Sequence, residues 1–108
     1  MLVNMQSIKV MPDYGCHPLW ANDLDEVGDI DPADLPISAL LISELNKWAS
    51  DFDLTLNDNY PPDSGFSNQE CKAKFVVKGF ELASTLKDEL KSVIVVYYDI
   101  DKMCNVSI

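Results

Sequence analysis

The stretch from Ser92 to Ile108 reads Ser-Val-Ile-Val-Val-Tyr-Tyr-Asp-Ile-Asp-Lys-Met-Cys-Asn-Val-Ser-Ile. Its first part is rich in β-branched and aromatic residues, which favour strands, and the unbroken apolar centre at residues 93–98 predicts a strand that is buried on both faces. Asp101 and Lys102 supply a turn into a last strand over residues 103–108. We therefore predict a terminal β-hairpin over residues 93–108.

A long helix is predicted immediately before this hairpin, over residues 67–91. Ser67 and Glu70 have the spacing of a capping box, in which each side chain satisfies the other residue's backbone N–H. Apolar residues then recur at helical spacing and predict a buried face, with Gly79 at a close approach; this face consists of Phe75, Val76, Phe80, Ala83, Leu86 and Leu90. The helix is expected to pack this face against the strands.

A first helix is predicted over residues 39–52. Ser38 has the character of an N-cap, because its hydroxyl can accept a hydrogen bond from the first turn. The apolar residues after it follow the helical period: Leu41, Leu45, Trp48 and Phe52. Between the two helices, residues 57–65 are dense in turn formers, and the consecutive prolines exclude a helix there. We interpret this second segment as an exposed loop.

The amino-terminal third combines one short strand with a long loop. Residues Ser7–Met11 alternate polar and apolar side chains and predict a strand that ends at Pro12. No period holds over residues 12–37, which we interpret as an ordered, acidic, surface-wrapping loop. The order of elements predicts an α+β fold, with a small, mainly antiparallel sheet covered on one face by two helices. The length of 108 residues fits a single domain, 1–108.

The charge of the chain is strongly acidic and unevenly distributed. Asp and Glu number 18 against 8 Lys, which gives a formal net charge of −10, and there is no Arg. Residues 1–71 carry a net charge of −11 and residues 72–108 a net charge of +1. An acidic field repels nucleic acid, because nucleic-acid affinity comes from Lys and Arg neutralising phosphates. A basic protein is the better candidate partner.

Neither a membrane segment nor a disulfide framework is predicted. The longest apolar run, at residues 93–98, is far shorter than the roughly 20 residues of a membrane span, and the amino end lacks the pattern of a signal peptide. We therefore expect a cytoplasmic protein. Cys16, Cys71 and Cys104 cannot all pair with one another, and reduced thiols are the simple interpretation. Cys16 next to His17 suggests an activated thiolate, yet adjacent side chains usually point apart, which favours a packed cysteine beside a surface histidine.

The acidic segment 23–34 partly fits a calcium-binding loop. It has acidic residues at the first, third, seventh and ninth positions and glycine at the sixth. The fit fails at the fifth position, which is Val27, and at the twelfth, where Asp34 replaces the longer bidentate Glu. A solvated acidic loop is the preferred interpretation, with no metal and no cofactor. A small metal-binding or enzymatic protein that uses this loop is the alternative.

The remaining interpretation is a surface for protein binding. Large aromatic residues flanked by carboxylates are typical of an interface with a basic protein, where rings anchor and acids steer. An aromatic residue such as Trp20 can equally well plug the core from a loop. The candidate partner-binding residues lie in the two loops: Trp20, Asp23, Asp25, Glu26, Asp29, Asp31, Asp34 and Tyr60. No catalytic residues are predicted, and the protein is expected not to be an enzyme.

Several short motifs together resemble a group of small bacterial proteins. They are Tyr14-Gly15-Cys16-His17-Pro18-Leu19-Trp20, Gly28-Asp29-Ile30-Asp31-Pro32, Leu35-Pro36-Ile37-Ser38, Thr55-Leu56-Asn57 and Ser64-Gly65-Phe66. In size and charge the chain is similar to the immunity proteins of contact-dependent growth inhibition and related polymorphic toxin systems. The resemblance implies a monomer or weak dimer that binds a cognate cationic toxin domain, with a nuclease as the preferred target, and occludes its active site. It implies no nucleic-acid or membrane partner.

Overall fold

The computed structural model describes residues 7–22, 28–55, 66 and 68–108. Within these ranges the chain forms a five-stranded sheet and two α-helices. In chain order the elements are β1 (Ser7–Val10), β2 (Leu19–Ala21), β3 (Asp29–Ile30), a 3₁₀ turn (Pro32–Asp34), α1 (Ala39–Asp53), α2 (Gln69–Leu90), β4 (Ile94–Asp99) and β5 (Cys104–Ser107). The strand order is β3-β2-β1-β4-β5.

The sheet is mainly antiparallel, which confirms the predicted fold class. Neighbouring strands pair antiparallel except for β1 and β4, which pair in parallel with Val10 opposite Tyr97. A parallel pair needs a long crossover connection, and here both helices lie in that connection. The ring of Trp48 in α1 lies 6.3 Å from that of Tyr97, and α2 packs on β4. Both helices therefore cover the same face.

Strand β4 is buried on one face only, which corrects the expectation of burial on both. Val95, Tyr97 and Asp99 point to the helices and are buried. Ile94 points the other way and is 61% exposed. The unbroken apolar run misled the prediction, because such a run is typical of strands between two layers of helices, whereas this sheet has helices on one side.

The first helix matches its predicted start. Ser38 is the N-cap of α1, and its Oγ accepts a hydrogen bond from the Leu41 backbone N–H at 3.2 Å. The second helix starts after Asn68, whose Oδ1 accepts from the Cys71 N–H at 2.8 Å. Asn68 rather than Ser67 is therefore the N-cap, which is physically reasonable because Asn caps helices at least as well as Ser. Ser67 itself lies outside the described residues.

The buried face of α2 is rotated relative to the prediction. Gly79 and Leu82 are buried, whereas Phe80, which we had assigned to the core, is 46% exposed. A Cβ atom at position 79 would overlap the rings of Trp48 and Tyr97. Because Gly79 has no side chain, α2 can approach both rings closely. This contact determines which side of the helix faces the core and leaves Phe80 at the edge of the buried side.

The segment 12–37 is not a continuous loop. It contains β2, β3 and the 3₁₀ turn, whose N-cap Asp31 accepts a hydrogen bond from the Ala33 N–H at 2.9 Å. Strands of three and two residues are too short to show a period in the sequence, so they were missed. Residues 23–27, between β2 and β3, lie outside the described ranges, as do residues 57–65, which form the second predicted loop.

Candidate partner-binding site

The connection between β1 and β2 forms a tight turn at the carboxyl end of α1. Gly15 has a φ of +70°, a left-handed conformation that glycine adopts without a steric penalty. The Gly15 backbone N–H donates to Asp53 Oδ1 at 3.0 Å, and the Tyr14 hydroxyl lies 2.9 Å from Thr55 Oγ1. The ring of Tyr14 stacks on that of Phe52, with centroids 4.6 Å apart. The turn is thus held against α1 by polar and aromatic contacts together.

The same turn is held on its other side by β3. The His17 backbone N–H donates to Asp29 Oδ2 at 2.7 Å. Asp29 is therefore positioned by a charge-assisted hydrogen bond rather than left free on a loop. Two carboxylates from distant parts of the sequence, Asp29 and Asp53, thus accept hydrogen bonds from backbone N–H groups of the same β1–β2 connection.

These contacts define a groove, which we call the acidic groove. It has a volume of about 440 Å³ and lies between the β1–β2 turn, the segment from β3 to the 3₁₀ turn, and α1. Three carboxylates line it: Asp29, Asp31 and Asp53. The polar side chains of Asn46 and Ser50 on α1 complete the wall that faces Asp29 and Asp31. The groove is open, polar and negatively charged.

Four of the eight predicted partner-binding residues are described, and the structure brings two of them into the groove. Asp29 and Asp31 line it, whereas Asp34 is exposed at the end of the 3₁₀ turn and does not. Trp20 lies on β2 instead of in a loop, is half-buried, and donates its indole N–H to the Met11 carbonyl at 2.9 Å. The other four lie outside the described residues: Asp23, Asp25, Glu26 and Tyr60.

Sequence reasoning missed Asp53 as a groove residue. It was treated only as the end of a helix, and its distance of 38 residues from Gly15 gives no local signal. The spacing of Asn46, Ser50 and Asp53 could have indicated it, because residues three and four apart share one face of a helix. That face is polar, in contrast to the apolar face of the same helix.

A family model matches most of the chain. The family is described as Serratia CdiI immunity protein-like, and the match covers residues 6–101. The chain belongs to this family. Membership confirms the resemblance to immunity proteins of contact-dependent growth inhibition and gives the chain an immunity role in such a system, which implies a cognate toxin as partner. The search of curated proteins found no match.

An immunity protein generally acts by binding rather than by catalysis, and the Cys16–His17 pair fits this role. Partial burial, followed by the carboxylates of Asp13, Asp29 and Asp53, raises the pKa of the Cys16 thiol. A cysteine nucleophile needs the opposite shift, because the thiolate is the reactive form. Partial burial and the neighbouring carboxylates therefore both favour the protonated thiol, which is the less reactive form.

A second groove of the immunity protein lies on the other side of Tyr14. It has a volume of about 450 Å³ and combines aromatic walls with polar residues at the start of α2. Tyr14, Phe52 and Phe66 form its aromatic part, and the Lys72 ammonium lies 3.6 Å from Asp101 at its rim. This groove is lined by one cationic side chain, Lys72, whereas the acidic groove is lined by three carboxylates. The two grooves therefore favour ligands of different charge.

Two features of the described residues concern metal binding and membrane insertion. No cluster of three or more His, Cys, Asp or Glu side chains within those residues could hold a metal ion. The segment 23–34, which only partly fits a calcium-binding loop, begins with residues 23–27, and these lie outside the described ranges. In the part of the chain that the structure describes, no helix is long and apolar enough to cross a membrane.

Proposed function

We propose that this immunity protein binds the toxin domain of its own growth-inhibition system in the cytoplasm and neutralises it by covering the active site. The family supplies the immunity role. The observation that supports the mode of binding is the acidic groove, in which Asp29, Asp31 and Asp53 converge on a chain of net charge −10. The partner that this arrangement favours is a basic protein domain.

The carboxylates of the groove have capacity left for a partner. Asp29 uses Oδ2 and Asp53 uses Oδ1 to accept backbone N–H groups. The second oxygen of each carboxylate is available for a Lys or Arg side chain, and hydrogen bonds between charged groups are stronger than neutral ones. Because the backbone contacts already fix both side chains, little conformational entropy is lost when a partner binds.

A nuclease is the toxin class that this surface favours. The active site of a nuclease is basic because it binds phosphates, and carboxylates can occupy the positions of those phosphates. The remaining predicted residues would extend the contact: Trp20, Asp23, Asp25, Glu26, Asp34 and Tyr60. In this proposal the immunity protein is a monomer or weak dimer, needs no cofactor, performs no catalysis, and binds neither nucleic acid nor membrane.

The experiment uses the product of the gene directly upstream of the gene for this chain, which the proposal predicts to contain the toxin domain. Association of the two purified proteins is followed by stopped-flow fluorescence at low and at high ionic strength. We expect the association rate to fall at least about tenfold at high salt, because opposite net charges steer the encounter. A rate that is independent of salt would contradict the steering.

The nuclease assignment and the metal alternative need separate measurements. Degradation of RNA or DNA by the toxin domain, abolished by one equivalent of the immunity protein, would support the assignment, and a toxin without nuclease activity would contradict it. Calorimetric titration with Ca²⁺, Mg²⁺ and Mn²⁺ addresses the alternative, and we expect no tight binding. A strong Ca²⁺ signal would favour a metal-binding protein that uses residues 23–34.

A further inference from the structure

The sheet face that points away from the helices carries a row of side chains with one residue from each strand. Residues paired across neighbouring strands project to the same face. The strand registers give the row from β3 to β5: Asp29, Trp20, Lys9, Val96 and Ser107. The residues on either side of the row along each strand point to the helices. We call the face that carries this row the outer face.

The outer face is apolar along β4, whereas the central strand β1 places Lys9 between Val96 and Trp20. Ile94 and Tyr98 flank Val96 along β4 and point the same way, because side chains two apart in a strand share a face. Ile94 is 61% exposed, whereas Val96 and Tyr98 are half-buried. The ring of Trp20 is held by its hydrogen bond to the Met11 carbonyl. Both described helices pack on the opposite face.

The outer face and the acidic groove meet at one residue. Asp29 is the β3 member of the row and also lines the groove. From β4 toward β3, the apolar residues are followed by Lys9, then by Trp20, and then by the carboxylate of Asp29. Apolar and aromatic residues beside a charged rim are common in protein interfaces.

We infer that the outer face is the main part of the toxin-binding interface and that its occupant is a folded, basic toxin domain. This inference rests on the proposed function and extends it from the acidic groove to a surface that includes Ile94, Val96 and Tyr98. The charge of the β3 edge determines which kind of partner fits. A second copy of this chain would bring two acidic edges together, and the two chains would repel each other because each has a net charge of −10.

The size of the outer face indicates that the interface also includes one edge of the sheet. Five strands span about 19 Å, and the three apolar positions on β4 span about 13 Å. The resulting area of a few hundred Å² is below the roughly 800 Å² that each partner buries in a stable complex. A bound domain must therefore extend past one edge. The β3 edge offers carboxylates, whereas β5, at the other edge, has no charged residue from Cys104 to Ser107.

The test compares two double variants that change the net charge equally. Ile94→Lys with Tyr98→Lys places two cations on the outer face and removes two apolar contacts. Leu40→Lys with Val77→Lys makes the same charge change on the helices, at side chains that are 70% and 58% exposed. Affinity for the purified upstream toxin domain is measured by calorimetry, and circular dichroism checks that each variant is folded.

We expect the outer-face variant to lose at least about 100-fold in affinity and the helix variant to stay within about threefold of wild type. An outer-face variant that binds like wild type would overturn the inference and leave the proposed function standing. A wild-type protein that does not bind the toxin domain would overturn the proposed function itself.

A second measurement avoids variants altogether. Hydroxyl-radical footprinting of the wild-type complex should show protection of Trp20, Ile94 and Tyr98 and no protection of Leu40 or Phe80. The reverse pattern would place the toxin domain on the helices and overturn the inference. Sedimentation of the free protein tests self-association. A dimer that the outer-face variant breaks without weakening toxin binding would show that a second copy is the occupant, and it too would overturn the inference.

Discussion

Two regions of the molecule use hydrogen bonds in opposite ways. One is the core, where both helices pack on β4, and the other is the acidic groove. In the core, the Trp48 indole N–H of α1 donates to the Phe75 carbonyl of α2, and the Tyr97 hydroxyl of β4 donates to the Val76 carbonyl of α2, each at 3.0 Å. The rings of Trp48 and Phe75 stack with centroids 4.5 Å apart. The carboxylates of the groove instead hold a surface turn and remain open to solvent. We therefore expect stability and the proposed binding to depend on different regions, and substitutions should separate them.

The largest loss of stability is expected from Leu86→Ala. Leu86 is fully buried between α2 and the sheet, so its truncation removes apolar contacts and leaves a cavity. Such a change costs about 2–5 kcal/mol of unfolding free energy, which urea denaturation measures. Leu40→Ala removes the same atoms from a side chain that is 70% exposed and is the matched control. An equal loss in both variants would contradict the assigned core.

Gly79→Ala should come next, with a loss of about 1–3 kcal/mol. The added methyl group would overlap Trp48 and Tyr97, so the helix or the rings must shift. In an exposed helix the same change would stabilise, because Ala has a higher helix propensity than Gly. Ala73→Gly on the exposed side of α2 measures that propensity in this helix. A stabilised Gly79→Ala variant would show that α2 does not approach the sheet this closely.

Tyr97 should make stability depend on alkaline pH. Burial, and then the Asp99 carboxylate, raises the pKa of the Tyr97 phenol. Since the folded state holds this proton more tightly than the unfolded state, its contribution is complete below the unfolded pKa of about 10 and is lost as pH rises above it. Tyr97→Phe should cost about 1 kcal/mol at neutral pH through the lost hydrogen bond to Val76. Thermal melts above pH 10 should fall more steeply for wild type than for Tyr97→Phe.

Phe80→Ala should have a much smaller effect than Leu86→Ala. The structure leaves Phe80 46% exposed, with its ring edge-on to Tyr97 at a centroid distance of 6.3 Å. Such an aromatic contact contributes about 0.5–1.5 kcal/mol. We therefore expect a loss of about 1 kcal/mol in urea denaturation. A loss as large as that of Leu86→Ala would restore the sequence-based assignment of Phe80 to the core.

The Phe80 error shows where sequence patterns stop. The period of α2 correctly predicted a helix and most of its buried residues, because burial repeats along a helix. Which of two neighbouring residues faces the core depended on the rings across from Gly79, and these come from α1 and β4. Similarly, the acidic composition indicated Asp29 and Asp31, whereas Asp53 joined the groove only through a turn 38 residues away. Local sequence patterns therefore predict helices and strands, whereas tertiary contacts determine which residues come together in the groove.

The smallest effect on stability is expected from substitutions of the acidic residues that we propose to bind the toxin. Asp23→Asn, Asp25→Asn, Glu26→Gln and Asp29→Asn together remove four charges, and we expect a change of at most about 0.5 kcal/mol per site. Asn at position 29 keeps an acceptor for the His17 N–H, and relief of repulsion among the acids offsets part of any loss. The fold should therefore survive.

Binding of this quadruple variant to the toxin domain should weaken through slower association, because the removed charges steer the encounter. The matched control removes four charges from the helices: Asp51→Asn, Glu70→Gln, Glu81→Gln and Asp88→Asn. Since both variants have the same net charge, a slower rate in the control alone would place the interface on the helices. An unfolded quadruple variant would show that the acids are structural. A folded one that protects cells undiminished would move the proposed interface toward Tyr60. Stopped-flow rates at two salt concentrations distinguish these outcomes, because only charges near the interface change both the rate and its salt dependence.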